Sequence, residues 1–316
     1  MTGCRGLSSI SGQSSTGRGR HLYDPIEVIN RRLSPDLPAR DLRFALINLI
    51  SRLLGRAISA PDNPEKQQQG QPGGSAPSLP EGRRLYCIGD IHGRLDLLEE
   101  LHEMILADAA EYDGSKAVVY LGDYIDRGSQ SAQVLDLLIA QTLDGFETIH
   151  LAGNHEQSML EFLVNPWETA AWLTYGGRLA LLSYGIGPGK LMRREDIEGL
   201  RDQLQEKLPQ SHLDFLRSCP LLHTEGDYCF VHAGIRPGVP LEEQDESDLL
   251  WIRDEFTQSQ VKHDHVVVHG HTISEEVEWL PNRIGIDTGA YVTGVLTALV
   301  LEGTERRLLQ TGRVVT

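Results

Sequence analysis

Three predicted strands of this chain end alike, in a glycine followed at once by polar residues that can bind a metal. The apolar runs RLYCIG, AVVYLG and TIHLAG lead into GDIHG (residues 89–93), GDYIDRG (122–128) and GNHE (153–156). Between them, LDLLEELHEMILADA and SAQVLDLLIAQ have the apolar spacing of helices. Strand, helix and strand alternating at this spacing imply parallel strands with right-handed crossovers, so the three strand ends share one sheet edge.

The downstream half of the chain has a different pattern. Residues 156–218 are predicted to be mainly helical, with a break near GIGPG (185–189). Four strand-like segments then follow with few helices between them, and they read YCFVHAG, HVVVHGHT, RIGIDTG and VLTALVLEG. This mixture predicts an α/β fold in which a parallel half faces an antiparallel half.

Two of the later strands also end in polar motifs, HAG (232–234) and HGHT (269–272). A single Gly-Asp turn is ordinarily only a turn, and a single buried histidine is ordinarily a core residue. Five such motifs at predicted strand ends indicate a shared site, because ligands gather at the carboxyl ends of strands in α/β sheets. Carboxylate oxygens and imidazoles together suit manganese, iron or zinc better than magnesium or calcium.

In their order and residues these motifs resemble the calcineurin-like metallophosphoesterases, and within them the bacterial PPP-type serine/threonine phosphoprotein phosphatases. The resemblance covers approximately residues 84–300. It implies a four-layer α/β/β/α sandwich of two mixed sheets, in which the helical segment 156–218 is expected to be an insertion. The resemblance leaves residues 1–80 unexplained, and these residues are expected to form a flexible N-terminal extension. The SAPNY-like stretch of the eukaryotic enzymes is absent, and IDTGAY occupies the corresponding region.

The resemblance also implies a centre of two divalent metal ions, with manganese expected and iron or zinc as alternatives. Asp123 would bridge the two metals. The implied metal ligands are Asp90, His92, Asp123, Asn154, His232 and His271. His269 is expected to be structural, and Asp287 is expected to support the metals without a direct role.

The remaining site residues are also implied by the resemblance. His155 would protonate the leaving oxygen, oriented by the carboxylate of Asp126. Arg127 and Arg253, the latter in LLWIRDEF, would bind the substrate phosphate together with Asn154. Metal coordination lowers the pKa of water, so direct attack by a metal-bridging hydroxide needs no covalent enzyme intermediate.

The expected activity is metal-dependent hydrolysis of phosphate monoesters, with phosphoserine and phosphothreonine proteins as the leading substrates and partners. The alternative is a diadenosine polyphosphate or nucleotide hydrolase on the same dinuclear site. Asp126 argues against the dinucleoside version, since the related hydrolases typically have alanine there. A catalytically silent binding protein is a further alternative, against which the complete ligand set argues.

Three aromatic residues in NPWETAAWLTYGG leave two interpretations open. Trp167, Trp172 and Tyr175 could line a substrate wall, although core packing of the helical insertion is favoured.

The ends of the chain have their own organisation. Residues 1–60 form a basic extension with nine arginines and four acidic residues, and residues 61–80 are predicted to be a flexible linker. The catalytic domain follows at 81–316. An amphipathic helix is predicted at 41–59, which could dock on the catalytic body, pair with another chain or lie on an anionic membrane surface.

The charge of the catalytic body excludes one class of partner. Beyond residue 60 the chain has 20 basic and 41 acidic residues, so no nucleic-acid binding is expected. The N-terminus has no apolar segment typical of a secretion signal, and the four cysteines form no CxxC pair. The expected location is therefore the cytoplasm.

Overall fold

The computed structural model describes residues 76–312, apart from residues 141, 142, 188, 190 and 192. The basic extension, the helix predicted at 41–59 and most of the predicted linker therefore lie outside the described residues. The last residues of that linker contact the catalytic body. Leu79 is buried and its amide donates to the Gly303 carbonyl at 2.9 Å, while the Tyr228 hydroxyl donates to the Pro77 carbonyl at 3.2 Å.

The first sheet contains the three strands that the motifs follow. Its order is β10-β9-β1-β2-β3, in which β1, β2 and β3 are parallel while β9 and β10 are antiparallel additions. The strands are β1 (Arg83–Ile88), β2 (Ser115–Tyr120), β3 (Phe146–His150), β9 (Thr297–Glu302) and β10 (Glu305–Gln310).

The second sheet has the order β4-β5-β6-β8-β7, with parallel pairing of β5, β6 and β8 and antiparallel edges. Its strands are β4 (Leu222–Glu225), β5 (Tyr228–Val231), β6 (Val266–His269), β7 (Glu278–Trp279) and β8 (Arg283–Gly285). Both sheets are mixed, as predicted. The expected division into a parallel and an antiparallel half is wrong, because β9 returns to pair with β1 while β5, β6 and β8 run parallel in the other sheet.

Helices cover the outer face of each sheet. On the first sheet, apolar side chains of six helices pack over residues such as Tyr86, Val118 and Val300. These helices are α1 (Leu95–Ala109), α2 (Ser131–Ile139), α3 (Asn154–Val164), α4 (Gly177–Ser183), α5 (Arg194–Lys207) and α6 (Gln210–Ser218), with a 3₁₀ turn at Ala170–Thr174. Outside the second sheet lie a 3₁₀ turn (Leu241–Glu243), α7 (Glu246–Trp251) and α8 (Asp254–Thr257), and α9 (Ala290–Thr293) lies in the segment between β8 and β9.

The inner faces of the two sheets pack on each other and complete the predicted four layers. Leu85 and Val119 of the first sheet and Phe230 and Val268 of the second are fully buried in one apolar cluster. Alternate strand residues point to opposite faces, which explains how each sheet supplies this inner cluster and a second one under its helices. Among the described residues, no helix is long and apolar enough to cross a membrane.

Candidate active site

The carboxyl ends of five strands, β1, β2, β3, β5 and β6, supply one buried polar site. All six predicted metal ligands follow these strands, and each is at most 6% exposed. Ligand side chains from both sheets lie in contact, since Oδ1 of Asn154 in the first half is within 2.9 Å of ring nitrogens of His232 and His271 in the second. The structure therefore brings together the residues that the motifs singled out.

The backbone of the site is strained at the functional residues. Among the described residues other than glycine, those with positive φ are all predicted site residues: His92 (48°), Asp123 (50°), Asp126 (71°), Arg127 (62°) and His271 (61°). This left-handed region costs a non-glycine residue roughly 1 kcal/mol or more, and such strain clusters at active sites. The surrounding fold therefore holds these side chains in directions that an unstrained loop would not give.

Two glycines of the motifs allow close approach to the carboxylates. A Cβ at Gly270 would overlap Oδ1 of Asp90, and a Cβ at Gly153 would overlap the amide nitrogen and Oδ1 of Asp123. Only glycine fits at these two positions while the carboxylates keep their places.

His92 has the protonation state of a metal ligand. Its Nδ1 donates to the Ile125 carbonyl at 2.9 Å, which leaves the lone pair on Nε2, 3.4 Å from Oδ2 of Asp123. Burial lowers the pKa of His92 to about 3, so the imidazole is neutral. The Nη1 atom of Arg127 lies 2.9 Å from the same Nε2.

His232 and His271 form the second half of the site with Asn154. Nδ1 of His232 donates to the Leu121 carbonyl at 2.9 Å, so its Nε2 is an acceptor that lies 2.9 Å from Oδ1 of Asn154. Nδ1 of His271 lies 2.8 Å from the same oxygen, and its Nε2 is buried without a hydrogen-bond partner. Burial lowers the pKa of both histidines. Nε2 of His232 and Oδ1 of Asn154 are both acceptors, and two acceptors that face one another fit a cation bound by both.

The site also concentrates buried carboxylates, whose negative charge a bound cation would neutralise. Burial and the charges of Asp287 and Asp123 raise the pKa of Asp90 well above its usual value. Burial acts the same way on Asp123, yet its histidine neighbours, His232 foremost, hold its pKa below the ordinary value. Oδ2 of Asp287 is buried without a partner. Divalent cations would compensate this concentration of negative charge.

The ligand atoms divide into two groups that share one carboxylate. His92, Asp123 and His155 lie in one group and Asp123, His232 and His271 in the other, with all atoms of a group within 4.8 Å of one another. The donor set therefore fits a dinuclear divalent metal centre with Asp123 between the two positions. The assignment of individual ligands stays a prediction.

His155 and Asp126 form a hydrogen-bonded pair beside the ligands. Nδ1 of His155 lies 2.6 Å from Oδ2 of Asp126, and Nε2 of His155 faces Asp123 at 3.9 Å. Burial opposes protonation, but the charges of Asp123 and Asp126 raise the pKa of His155. A protonated imidazole with Nε2 directed at the centre can give a proton to a leaving oxygen.

Two residues that support the pair and the loop were not predicted as site residues. Glu156 is fully buried and accepts hydrogen bonds from the amides of Gly153, Asp123, Tyr124 and Ile125 at 3.0, 2.8, 2.9 and 3.3 Å. Its sequence signal was available, because it is the third residue of a helix that begins in GNHE, where a carboxylate caps backbone amides.

The second residue is Trp172, which the sequence places in a substrate wall or in the core and not beside Asp126. It is buried, as the core-packing interpretation expected, but its Nε1 also donates to Oδ2 of Asp126 at 2.7 Å. No spacing rule links it to the GDYIDRG motif, since 46 residues separate the two side chains in sequence.

The two predicted phosphate-binding arginines lie on different sides of the centre. Arg127 contacts His92, and Nη1 of Arg253 donates to the His271 carbonyl at 3.3 Å. Arg94, which follows the GDIHG motif, donates to Asp96 and to the Ala290 carbonyl, the latter at 2.9 Å. Asp287 lies beside Asp90 and accepts from the Gly289 amide at 2.9 Å, a place consistent with support for the metals.

Strand-end ligands, a carboxylate-held histidine and two arginines define this protein as a hydrolase of the metallophosphoesterase class. The family model described as calcineurin-like phosphoesterase matches residues 83–292. The chain belongs to that family, which includes the PPP-type phosphatases that the motifs resemble.

Relatives with two different named activities match the chain. The asymmetrical bis(5'-nucleosyl)-tetraphosphatase PrpE of Anoxybacillus flavithermus is 25% identical over 232 residues, which cover 67% of this chain and 88% of the relative. Serine/threonine-protein phosphatase 2 of Escherichia coli is 28% identical over 228 residues, covering 68% of this chain and 91% of the relative. A solved structure described as a candidate diadenosine tetraphosphatase has a TM-score of 0.50 and 22% identity, covering 75% of this chain and 98% of that one.

Proposed function

We propose that this protein hydrolyses the polyphosphate chain of a dinucleoside polyphosphate, such as diadenosine tetraphosphate, with two manganese ions. The observation that carries the proposal is the match, over most of both chains, to a bis(5'-nucleosyl)-tetraphosphatase. The sequence motifs leave this activity as the alternative to protein dephosphorylation, and the comparisons support it better than protein dephosphorylation. Iron and zinc remain the alternatives to manganese, because the donor set of imidazoles, carboxylates and an amide oxygen suits all three.

The proposed reaction uses the side chains as follows. Held by the six predicted ligands, two divalent ions would make a nucleophile available at neutral pH and would offset the phosphate charge. Arg127 and Arg253, on different sides of the centre, bind oxygens of successive phosphates and orient the chain for attack. His155 directs the N–H of its Nε2 at the leaving phosphate oxygen and stabilises the negative charge that develops there, while Asp126 holds the ring in place through Nδ1.

A second candidate is the hydrolysis of phosphoserine or phosphothreonine in proteins. The match to a serine/threonine-protein phosphatase over 91% of that relative supports it. The intact pair of His155 and Asp126 fits it as well, since a serine alkoxide needs a proton to leave.

Initial rates on three substrates distinguish the two candidates. Full-length protein with added Mn²⁺ is assayed on diadenosine tetraphosphate, a phosphoserine peptide and a phosphotyrosine peptide, with chelator and His155→Asn as controls. Selective, chelator-sensitive cleavage of the dinucleotide supports the proposal. Selective dephosphorylation of the peptides overturns it in favour of the second candidate, and the absence of turnover in metal-loaded protein would contradict both.

A further inference from the structure

An open cleft of about 430 Å³ adjoins the metal centre on the side of Arg127. Its lining residues are Arg127, Thr174, Tyr175, Gly176 and Tyr291. Its volume is in the range of small-molecule sites, and two of its five lining residues are tyrosines. The cleft is therefore lined both by the Arg127 guanidinium, which is next to the ligands, and by two tyrosine side chains.

Tyr291 lies directly beside the centre. Its ring meets the His92 ring edge-on at 5.3 Å between centroids, and the Arg127 guanidinium carbon lies 4.9 Å from the Tyr291 centroid. Arg94 donates to the carbonyl of Ala290, the first residue of α9, and so restrains the short helix that bears Tyr291.

Tyr175 comes from the helical insertion, which is tied to the same motif. Trp172 donates to Asp126, and the Arg127 amide donates to the Gly176 carbonyl at 3.5 Å. A Cβ at Gly176 would lie 2.7 Å from the Arg127 nitrogen, so the insertion packs tightly there. Tyr175 lies between these two anchors and is nevertheless 67% exposed. Its backbone is held while its ring is free to contact a ligand.

We propose that Tyr175 and Tyr291 bind a nucleobase of the substrate while Arg127 binds the adjoining phosphate. This inference rests on the proposed function and names the part of the site that would select a nucleotide. A planar base can stack on a phenol ring, and removal of one such ring typically weakens nucleotide binding by about ten-fold or more. A guanidinium and two phenol rings that line one cleft match a ligand with an anionic group and a flat neutral group.

Calorimetric titration tests this without relying on turnover. Full-length, Mn²⁺-loaded protein is titrated with phosphonate analogues of adenosine monophosphate and of ribose 5-phosphate, which resist hydrolysis and differ only in the base. The wild-type protein should bind the adenosine ligand about ten-fold more tightly. Tyr175→Leu and Tyr291→Leu should each reduce that preference severalfold, while Tyr175→Phe should keep it. Trp279→Ala, which changes another exposed aromatic residue on β7, is the matched control.

Two results would overturn the inference. The first is equal affinity of the wild-type protein for both ligands, and the second is an equal loss of affinity for both ligands in the leucine variants. The proposed function is judged separately by cleavage of diadenosine tetraphosphate. Preference for the adenosine ligand without cleavage of diadenosine tetraphosphate would contradict the proposed function and support nucleobase binding in the cleft. Cleavage without this preference would support the proposed function and contradict nucleobase binding in the cleft.

Discussion

The metal centre and the cleft beside it are built in opposite ways. In the centre the predicted ligands are at most 6% exposed, and five site residues hold strained backbone conformations. In the cleft, Tyr175 is 67% exposed. Its segment is held by neighbouring residues such as Trp172, which donates to Asp126, and not by the Tyr175 side chain. The centre is fixed by backbone geometry, which suits chemistry common to many substrates. The cleft presents an exposed aromatic side chain, which suits selection of one substrate over another.

The comparison predicts that changes in the centre lower turnover of every substrate. The largest effect should come from Asp123→Asn, because Asp123 belongs to both ligand groups. We expect a loss of about 10³-fold or more in kcat/KM on nucleotide and peptide substrates alike, with reduced metal content. Rates and elemental analysis check this, and the exposed change Asp113→Asn is the control. A loss of turnover confined to one substrate would contradict the conclusion that the metal centre serves all substrates alike.

His155→Asn and Asp126→Asn should have the next largest effect. Proton donation contributes typically about 10²–10⁴-fold, so turnover of a phosphoserine peptide should fall by that amount while the metal content stays near two ions. The fall should be smaller on p-nitrophenyl phosphate, whose leaving group needs no proton, than on a phosphoserine peptide. Equal losses on both substrates would mean that His155 does not act as the acid.

Glu156→Gln should have an intermediate effect, through the loop that carries Asp123. The amide NH₂ of glutamine would face backbone N–H groups where the carboxylate now accepts four hydrogen bonds. We expect turnover to fall by roughly 10–100-fold and unfolding to become easier by about 1–3 kcal/mol. Rates, metal titration and thermal unfolding check this. Glu161→Gln, an exposed change on the same helix, should leave all three readouts near wild type.

The smallest effect on catalysis should come from an ion pair that lies outside both the metal centre and the cleft. Arg83 donates to Glu225 at 2.5 Å, and although burial opposes it, hydrogen bonds from His223 and Arg83 lower the pKa of Glu225 from 4.5 to about 2. A depressed folded-state pKa stabilises the protein above pH 4.5, and this stabilisation is lost as the pH falls toward 2.

Arg83→Met should therefore lower the free energy of unfolding by about 1–2 kcal/mol at pH 7 and flatten its decline between about pH 4.5 and 2. Denaturant unfolding at several pH values measures both changes. The rate constants of the folded enzyme should not change on any substrate. A shift in substrate preference would show that selectivity is not confined to the cleft.

The sequence predicted the centre far better than its surroundings. Glycine and ligand residues at strand ends are local patterns, so the motifs alone were enough to place Asp90, Asp123 and His232 together. Trp172 and Tyr175 are close in sequence, yet one is buried against Asp126 and the other is exposed, and only tertiary packing decides this. The hairpin strand β10 was missed because ERRLLQ alternates weakly between polar and apolar residues.

The hydrogen bond from His232 to the Leu121 carbonyl links the two sheets inside the site, and the bond from the His271 amide to Asp90 does so again. Metal affinity should therefore depend on the distance between the two sheets. A substitution that pushes the sheets apart, at Val119 or Phe230 in the inner apolar cluster for example, would change the distances between ligands from the two sheets. Core packing far from the substrate thereby becomes a determinant of how tightly this enzyme retains its metals.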